Sequence, residues 1–468
     1  MADDDGDGVS TINNEKFAKM TTAPVENLVL GLAIPSMVIN LISAFYNMAD
    51  TYFVSSLGTS QIAAIGIAYP LMAIIQAMGS FFGQGSGNYI SRALGAQDTE
   101  NASRMAATGL ISSFSFMTII AVIGLAGLEP LVEILGTTET IRPFAKDYLF
   151  FILLASPWMA AATVLNMQLR FQGSAAISMV GMISGAVLNI FLDPLFIFVF
   201  RMGVKGAAIA TMISQIVSFF ILFFYGTTRK GNIPFRPRHF SPSVSRYVEM
   251  FRGGIPALCR QGIASIAAIF INHFARPYGD AAIAAISITN RLSMFSTSLM
   301  VGFGQGFQPV CGFNYGAKLY DRVKKAFWFC IRFCFIGLLI ISLTMAFFAP
   351  NIIAMFRKDD LEVIAIGARG LRFICVSLPF MTAVTMVTMM TQTMGKALEA
   401  SIIVLSRQGL FLIPCLFVLS PLLGLTGVQL AAPVSDLACL IAVIPILIRI
   451  LKVLSKQDEK NEQPAINE

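Results

Sequence analysis

Apolar residues along this chain come in long, almost unbroken runs separated by short polar breaks, not in the narrow stripes of elements that keep one face in water. A helix needs about 20 residues to cross a hydrocarbon core of about 30 Å. Runs of at least that length fall at 26–49, 61–90, 103–127, 145–166, 174–200, 205–227, 250–274, 281–305, 323–349, 364–390, 397–421 and 425–450. The pattern predicts an all-α membrane protein with twelve transmembrane helices. An even number places both termini on one side of the bilayer.

The longest polar break, Gly226 to Tyr247, lies at the midpoint and is rich in Pro, Arg and Ser, which marks a linker. The predicted organisation is an N-terminal tail over 1–25, an N-lobe over 26–227, a linker over 228–247, a C-lobe over 248–451 and a C-terminal tail over 452–468. The two lobes repeat each other. A shift of 221 residues aligns Ile34-Pro35 with Ile255-Pro256, Gly58 with Gly279, Phe82-Gly83-Gln84-Gly85 with Phe303-Gly304-Gln305-Gly306 and Gly95-Ala96 with Gly316-Ala317. Near the same shift Pro157 faces Pro379 and Gly173 faces Gly395. Ungapped Gly and Pro matches do not follow from hydrophobicity alone, so the helices form two pseudo-symmetric six-helix bundles. Each half has an even number of helices and runs through the bilayer in the same direction, which suggests a central cleft with alternating access by rocking.

Composition agrees with lipid as the main solvent: 56% of the 468 residues are hydrophobic and only 13% charged, against about a quarter charged in ordinary soluble chains. A secreted disulfide scaffold, a disordered chain and a conventional soluble enzyme are excluded. The net charge of +7 is explained by topology. Counting the termini and alternate loops as inside gives 20 basic residues there against seven in the opposite loops, which puts both ends in the cytoplasm and requires no nucleic-acid partner. The acidic, polar N-terminus is wrong for a secretory signal, so the first apolar helix is expected to direct insertion. The seven cysteines read as packing residues without metal-like spacing.

Enzyme signatures are scarce, with no GxSxG elbow, P-loop or HExxH. The glycines of FGQGSG sit at the end of a membrane segment, where close helix packing is their expected role. With no nucleotide site, uphill work must draw on an ion gradient. Ionisable residues inside the bilayer are the sharper signal, because burying a charge there costs at least about 3 kcal/mol. Asp193, in LNIFLDPLFIFVF, has apolar neighbours on both sides and is followed by Pro194, so a kink is expected; Asn189 lies four residues earlier on the same helical face. Asp50, in AFYNMADTYF, reads either as a second buried acid or as a residue at the interface. The second half carries Arg260, Arg291 and Arg407 within apolar segments and Asp436 in the last. Arg260-Gln261 and Asn290-Arg291 form a candidate C-lobe polar site, with a structural reading of these arginines equally open. A Met-rich wall, including Met381 and Met389, would suit varied flat ligands.

AFYNMADTYFVSSLG, AAIGIAYPL, LNIFLDPLFIF, the repeated GIP opening of the halves and the FGQG pair resemble the multidrug and toxic compound extrusion (MATE) family, nearest its DinF- and MepA-type bacterial branch, over essentially Asn27 to Leu451. The resemblance implies twelve helices in two bundles and export of cationic or amphipathic drugs in exchange for H+ or Na+. It maps an N-lobe cation site onto Asp50, Asn189, Asp193 and Thr211. A NorM-like branch uses a carboxylate in the seventh helix; GIPALCRQGIASIAAIF has none, which favours protons.

The expectation is therefore a proton-coupled antiporter, with no cofactor and no resident metal, although Na+ at Asp50, Asn189, Asp193 and Thr211 stays open. Its partners would be small cationic or amphipathic molecules and membrane lipids. It would work as a monomer in a bacterial cytoplasmic membrane, where the family resemblance also implies a part in antibiotic resistance. One H+ exchanged for one monovalent cation is electroneutral, whereas a second proton adds about 2.3 kcal/mol per 100 mV, so two titrating acids would make the better pump. The rivals are a lipid-linked saccharide flippase, for which fourteen helices and a strongly cationic central cavity are expected, a small-solute symporter, and last a membrane-embedded enzyme, for which no nucleophile–base or metal constellation is visible.

Overall fold

A computed structural model of the chain describes residues 15–55, 57–228, 233, 235–356 and 360–462, and the side chains at 44–52, 54–55, 59 and 460–462 lie outside that description. Every regular element among the described residues is helical. The twelve long helices are α1 (Val25–Ser55), α2 (Thr59–Gly95), α3 (Thr99–Ala126), α4 (Arg142–Phe171), α5 (Ala175–Pro194), α6 (Gly203–Thr228), α7 (Val244–Ala275), α8 (Gly279–Gly316), α9 (Tyr320–Phe347), α10 in two pieces (Leu361–Ser377 and Met381–Thr393), α11 in two pieces (Ala397–Leu405 and Leu412–Leu423) and α12 (Leu425–Glu462). A backbone in lipid must satisfy its own hydrogen bonds, which leaves helices as the solution for apolar runs of this length.

Ten helical stretches are long and apolar enough to span, and α10, bent by 53°, makes an eleventh. One of the ten, Val244–Gly316, is 73 residues long, about 110 Å at 1.5 Å per residue, far more than a single crossing needs. It divides at the tight turn Arg276–Tyr278 into α7 and α8, giving the twelve crossings that the apolar runs predict. Ile119, Val122 and Ile123 on α3, Ile340 and Leu343 on α9 and Ile441 on α12 are each more than half exposed, as expected of surfaces solvated by lipid.

The backbone carries the repeat as clearly as the sequence does. Positive φ angles pair Gly58 (104°) with Gly279 (83°), Gln97 (60°) with Lys318 (59°), Gly173 (79°) with Gly395 (81°) and Gly203 (58°) with Gly424 (62°). The Gln97 and Lys318 pair needs explanation, because side chains other than Gly rarely enter that region. Both follow the end of a long helix and close the same turn, with Asp98 N–H donating to Ala93 O at 2.8 Å and Leu319 N–H to Asn314 O at 2.8 Å. The short helices Leu128–Ile134 and Ala349–Ala354 also begin 221 residues apart.

Packing divides the described chain into two units. Ile34–Ala257, with the helical segment over 15–22 ahead of it, forms unit 1; Leu258 onward, with Pro24–Ala33, forms unit 2. In unit 1, Gly79, Gly83 and Gly87 stand four apart on α2 and face Thr163, Met167 and Phe171 of α4, where an added methyl would overlap each partner. Gly85 meets the backbone of Met250 at the start of α7. In unit 2, Gly304 faces Met389 and Gly306 meets the backbone of Ala33 near the start of α1. The FGQG glycines thus set helix spacing in both units. Ile75, Met117, Leu149, Ile152 and Leu153 fill a core of unit 1, while Ile353, Val363, Leu371 and Cys375 fill part of unit 2.

Candidate functional site

Small residues press α5 and α6 together in unit 1. Gly181 lies against Leu222 and Gly185 against Ser218, whose hydroxyl donates to Gly181 O at 2.9 Å. Two turns further along α5 the same interface turns polar. Asp193, Asn189 and Thr211 are 0%, 1% and 3% exposed. With the Asn189 amide turned to suit both neighbours, its nitrogen donates to Asp193 Oδ2 at 2.8 Å and its oxygen accepts from the Thr211 N–H at 3.2 Å. Sequence reasoning expects a kink at Pro194. The proline is still helical, and the irregularity begins one residue later as a wide π-helical turn, Leu195–Val199. Proline brings no N–H to the helical ladder, and the chain relaxes just beyond it. Gly206 at the head of α6 packs against the Phe196 backbone and holds this turn in place. Asp50 belongs to the backbone of α1, but its side chain lies outside the described residues.

Unit 2 holds a different polar cluster. Arg407 lies on a π-helical turn, Ser406–Phe411, between the two pieces of α11. Its Nε donates to Asp436 Oδ1 at 2.8 Å, its Nη2 to Met381 Sδ at 3.6 Å, and its carbonyl accepts from the Ser435 hydroxyl. Ser377, at the break in α10, donates to Asp436 Oδ2 at 3.1 Å. The Asp436 side chain is 10% exposed and that of Arg407 is 32%. A cavity of about 450 Å³ opens beside this pair, and Arg260 and Asn290 also line it. Gln261 and Arg291 are exposed and are not among its lining residues. The structure thus brings Asn189, Asp193 and Thr211 together, brings Arg260 and Asn290 to one cavity, and leaves Gln261 and Arg291 apart from it. The Arg407–Asp436 pair was visible only as two isolated charges in apolar runs. Opposite signs in a medium that penalises lone charges were the signal that could have joined them. Nothing in the sequence marks Ser377 or Ser435.

The MatE family model matches this chain twice, over residues 35–195 and again over 256–418, once in each half. The chain belongs to the MatE family. Multidrug export protein MepA of Staphylococcus haemolyticus is 30% identical over 434 residues, 92% of this chain and 94% of that protein. A MATE structure in complex with MaL6 superimposes with a TM-score of 0.88 at 26% identity, covering 94% of this chain and 99% of the other. An outward-facing multidrug resistance MATE transporter of the MOP superfamily gives a TM-score of 0.85 at 26% identity, covering 93% and 98%. As a MatE-family chain the protein is a multi-pass membrane transporter and not an enzyme, and its two matched regions are the two halves of the 221-residue repeat.

Proposed function

We propose that this MatE-family transporter exports cationic or amphipathic drugs from the cytoplasm in exchange for an inward-moving cation, a proton first, and that Asp193 is the group that trades one for the other. The observation that carries the reading is a fully buried carboxylate bonded by Asn189 beside Thr211 at an α5–α6 interface. A charged carboxylate in a low-dielectric interior is costly, and either a proton or a bound cation lowers that cost. A proton and a drug cation therefore compete for the same oxygen atoms, and competition for one site is what couples their movements. Asn189 reads as the orienting partner, and Asp50 on α1 as the second acid that makes transport electrogenic. Sodium at the same four residues is the other coupling ion that the donor set would accept.

Membrane orientation follows the basic residues, with both termini cytoplasmic, and the relatives in Staphylococcus suit a bacterial cytoplasmic membrane. Twelve crossings speak against the saccharide flippase, for which fourteen are expected. The test uses purified protein in liposomes with pH and sodium gradients imposed separately. Wild type is expected to release protons on adding drug under a pH gradient and to give no drug movement under sodium alone. Asp193→Asn is expected to insert normally and lose drug-dependent proton release. Unchanged exchange in that variant would overturn the assignment.

A further inference from the structure

Three charged side chains line the cavity of unit 2: Arg260 from α7, Arg407 from α11 and Asp436 from α12. Arg407 and Asp436 compensate each other across 2.8 Å. Arg260 has no ion pair or hydrogen bond among the described residues, so the described lining of the cavity carries one uncompensated positive charge. Asn290 adds an amide to the lining, while Met381 and Met389 offer soft thioether surface that repacks around differently shaped apolar groups. Its volume of about 450 Å³ falls within the range of small-molecule sites, about 300–1,000 Å³. An excess positive charge repels a cation and is neutralised by an anion, and a guanidinium presents its donors in the fork that matches a carboxylate.

We infer that this cavity binds an amphipathic organic anion or zwitterion, its carboxylate paired with Arg260 and its apolar body laid against Met381 and Met389. The site takes the negative end of a ligand, whereas the Asp193 cluster takes a positive one. Binding here does not rest on Asp193 as the coupling group, and it is measured without any ion gradient.

The probe is 4-(1-pyrenyl)butyrate, with the corresponding uncharged amide as control, titrated calorimetrically into the protein in phosphatidylcholine nanodiscs, with empty discs subtracted. Wild type is expected to bind the carboxylate about tenfold more tightly than the amide. Arg260→Gln is expected to lose about that tenfold for the carboxylate and to keep amide affinity within about twofold. Arg260→Lys keeps the charge without the fork and is expected to fall between them. It also serves if the glutamine variant does not insert. Equal affinity of wild type for carboxylate and amide would overturn the inference, as would equal losses of both in Arg260→Gln.

Discussion

Ser156 in α4 and Ser377 in α10 each stand just ahead of a proline matched in the repeat, Pro157 and Pro379, yet only one of them reaches another helix. The Ser156 hydroxyl donates to Leu153 O at 2.8 Å within its own helix, and α4 runs on unbroken through Pro157. The Ser377 hydroxyl lies 3.2 Å from Ile374 O in the same manner but also reaches Asp436 on α12 at 3.1 Å, and α10 breaks by 53° at the residues around the matching Pro379. That break puts Met381 under Arg407. At a shift of 221, Asp436 and Arg407 fall opposite Gln215 and Ala186, and Asp193 and Asn189 fall opposite Pro414 and Leu410, so neither charged pair recurs in the other half. Glycines and prolines preserve the shared scaffold, and the charged positions have diverged independently on it. A hydrogen-bonded acid sits in unit 1, and a clamped acid with a spare arginine sits in unit 2.

The sharpest way to break this comparison is a matched pair of charge deletions. Asp193→Asn is expected to abolish coupled exchange, whereas Asp436→Asn, whose parent carboxylate is already occupied by Arg407 and Ser377, should leave proton release by drug intact. Equal loss in both, measured in the same liposomes, would erase the distinction between the units. A second pair probes the shared scaffold. Gly206 and Gly427, also 221 apart, abut the backbone of Phe196 and of Leu419. Alanine at either should lower stability by about 2–3 kcal/mol, read from detergent melting curves; a loss at one only would show that the scaffold is not equivalent in the two halves.

Smaller effects sharpen it further. Asp436→Ala strips Arg407 and Ser377 of their acceptor and should cost about 2 kcal/mol of thermal stability without touching exchange. Thr211→Val removes only a hydroxyl beside Asn189, while the backbone N–H that Asn189 uses remains. About 1 kcal/mol or less is expected, with exchange slowed only a few-fold when transport is timed at several pH values. A complete loss in Thr211→Val would make that hydroxyl a ligand of the coupling ion.

The twelve crossings, the repeat and the pairing of Asn189 with Asp193 were legible because each rests on a local rule: run length in lipid, ungapped glycines, and spacing by four on a helix. Helix ends were less so. α2 runs to Gly95 and α8 to Gly316, beyond the apolar stretches ending at 90 and 305, because backbone hydrogen bonding continues after hydropathy stops. The π-helical turn at Arg407 and the bend in α10 left no mark in hydropathy, although Pro379 stands at the bend. The cavity that gathers Arg260, Asn290, Arg407 and Asp436 from four helices could not be read along the chain.

The first turns of α1 pack within unit 2, against Gly306, and those of α7 pack within unit 1, against Gly85. A ribosome delivers α1 long before α8 exists, so the opening helix must wait in the bilayer with an unmated end. The front half, in turn, stays unfinished until residues past 244 have emerged. Cutting the polypeptide between its halves should then yield two fragments that are each short-lived alone and rescue one another only when made in the same cell.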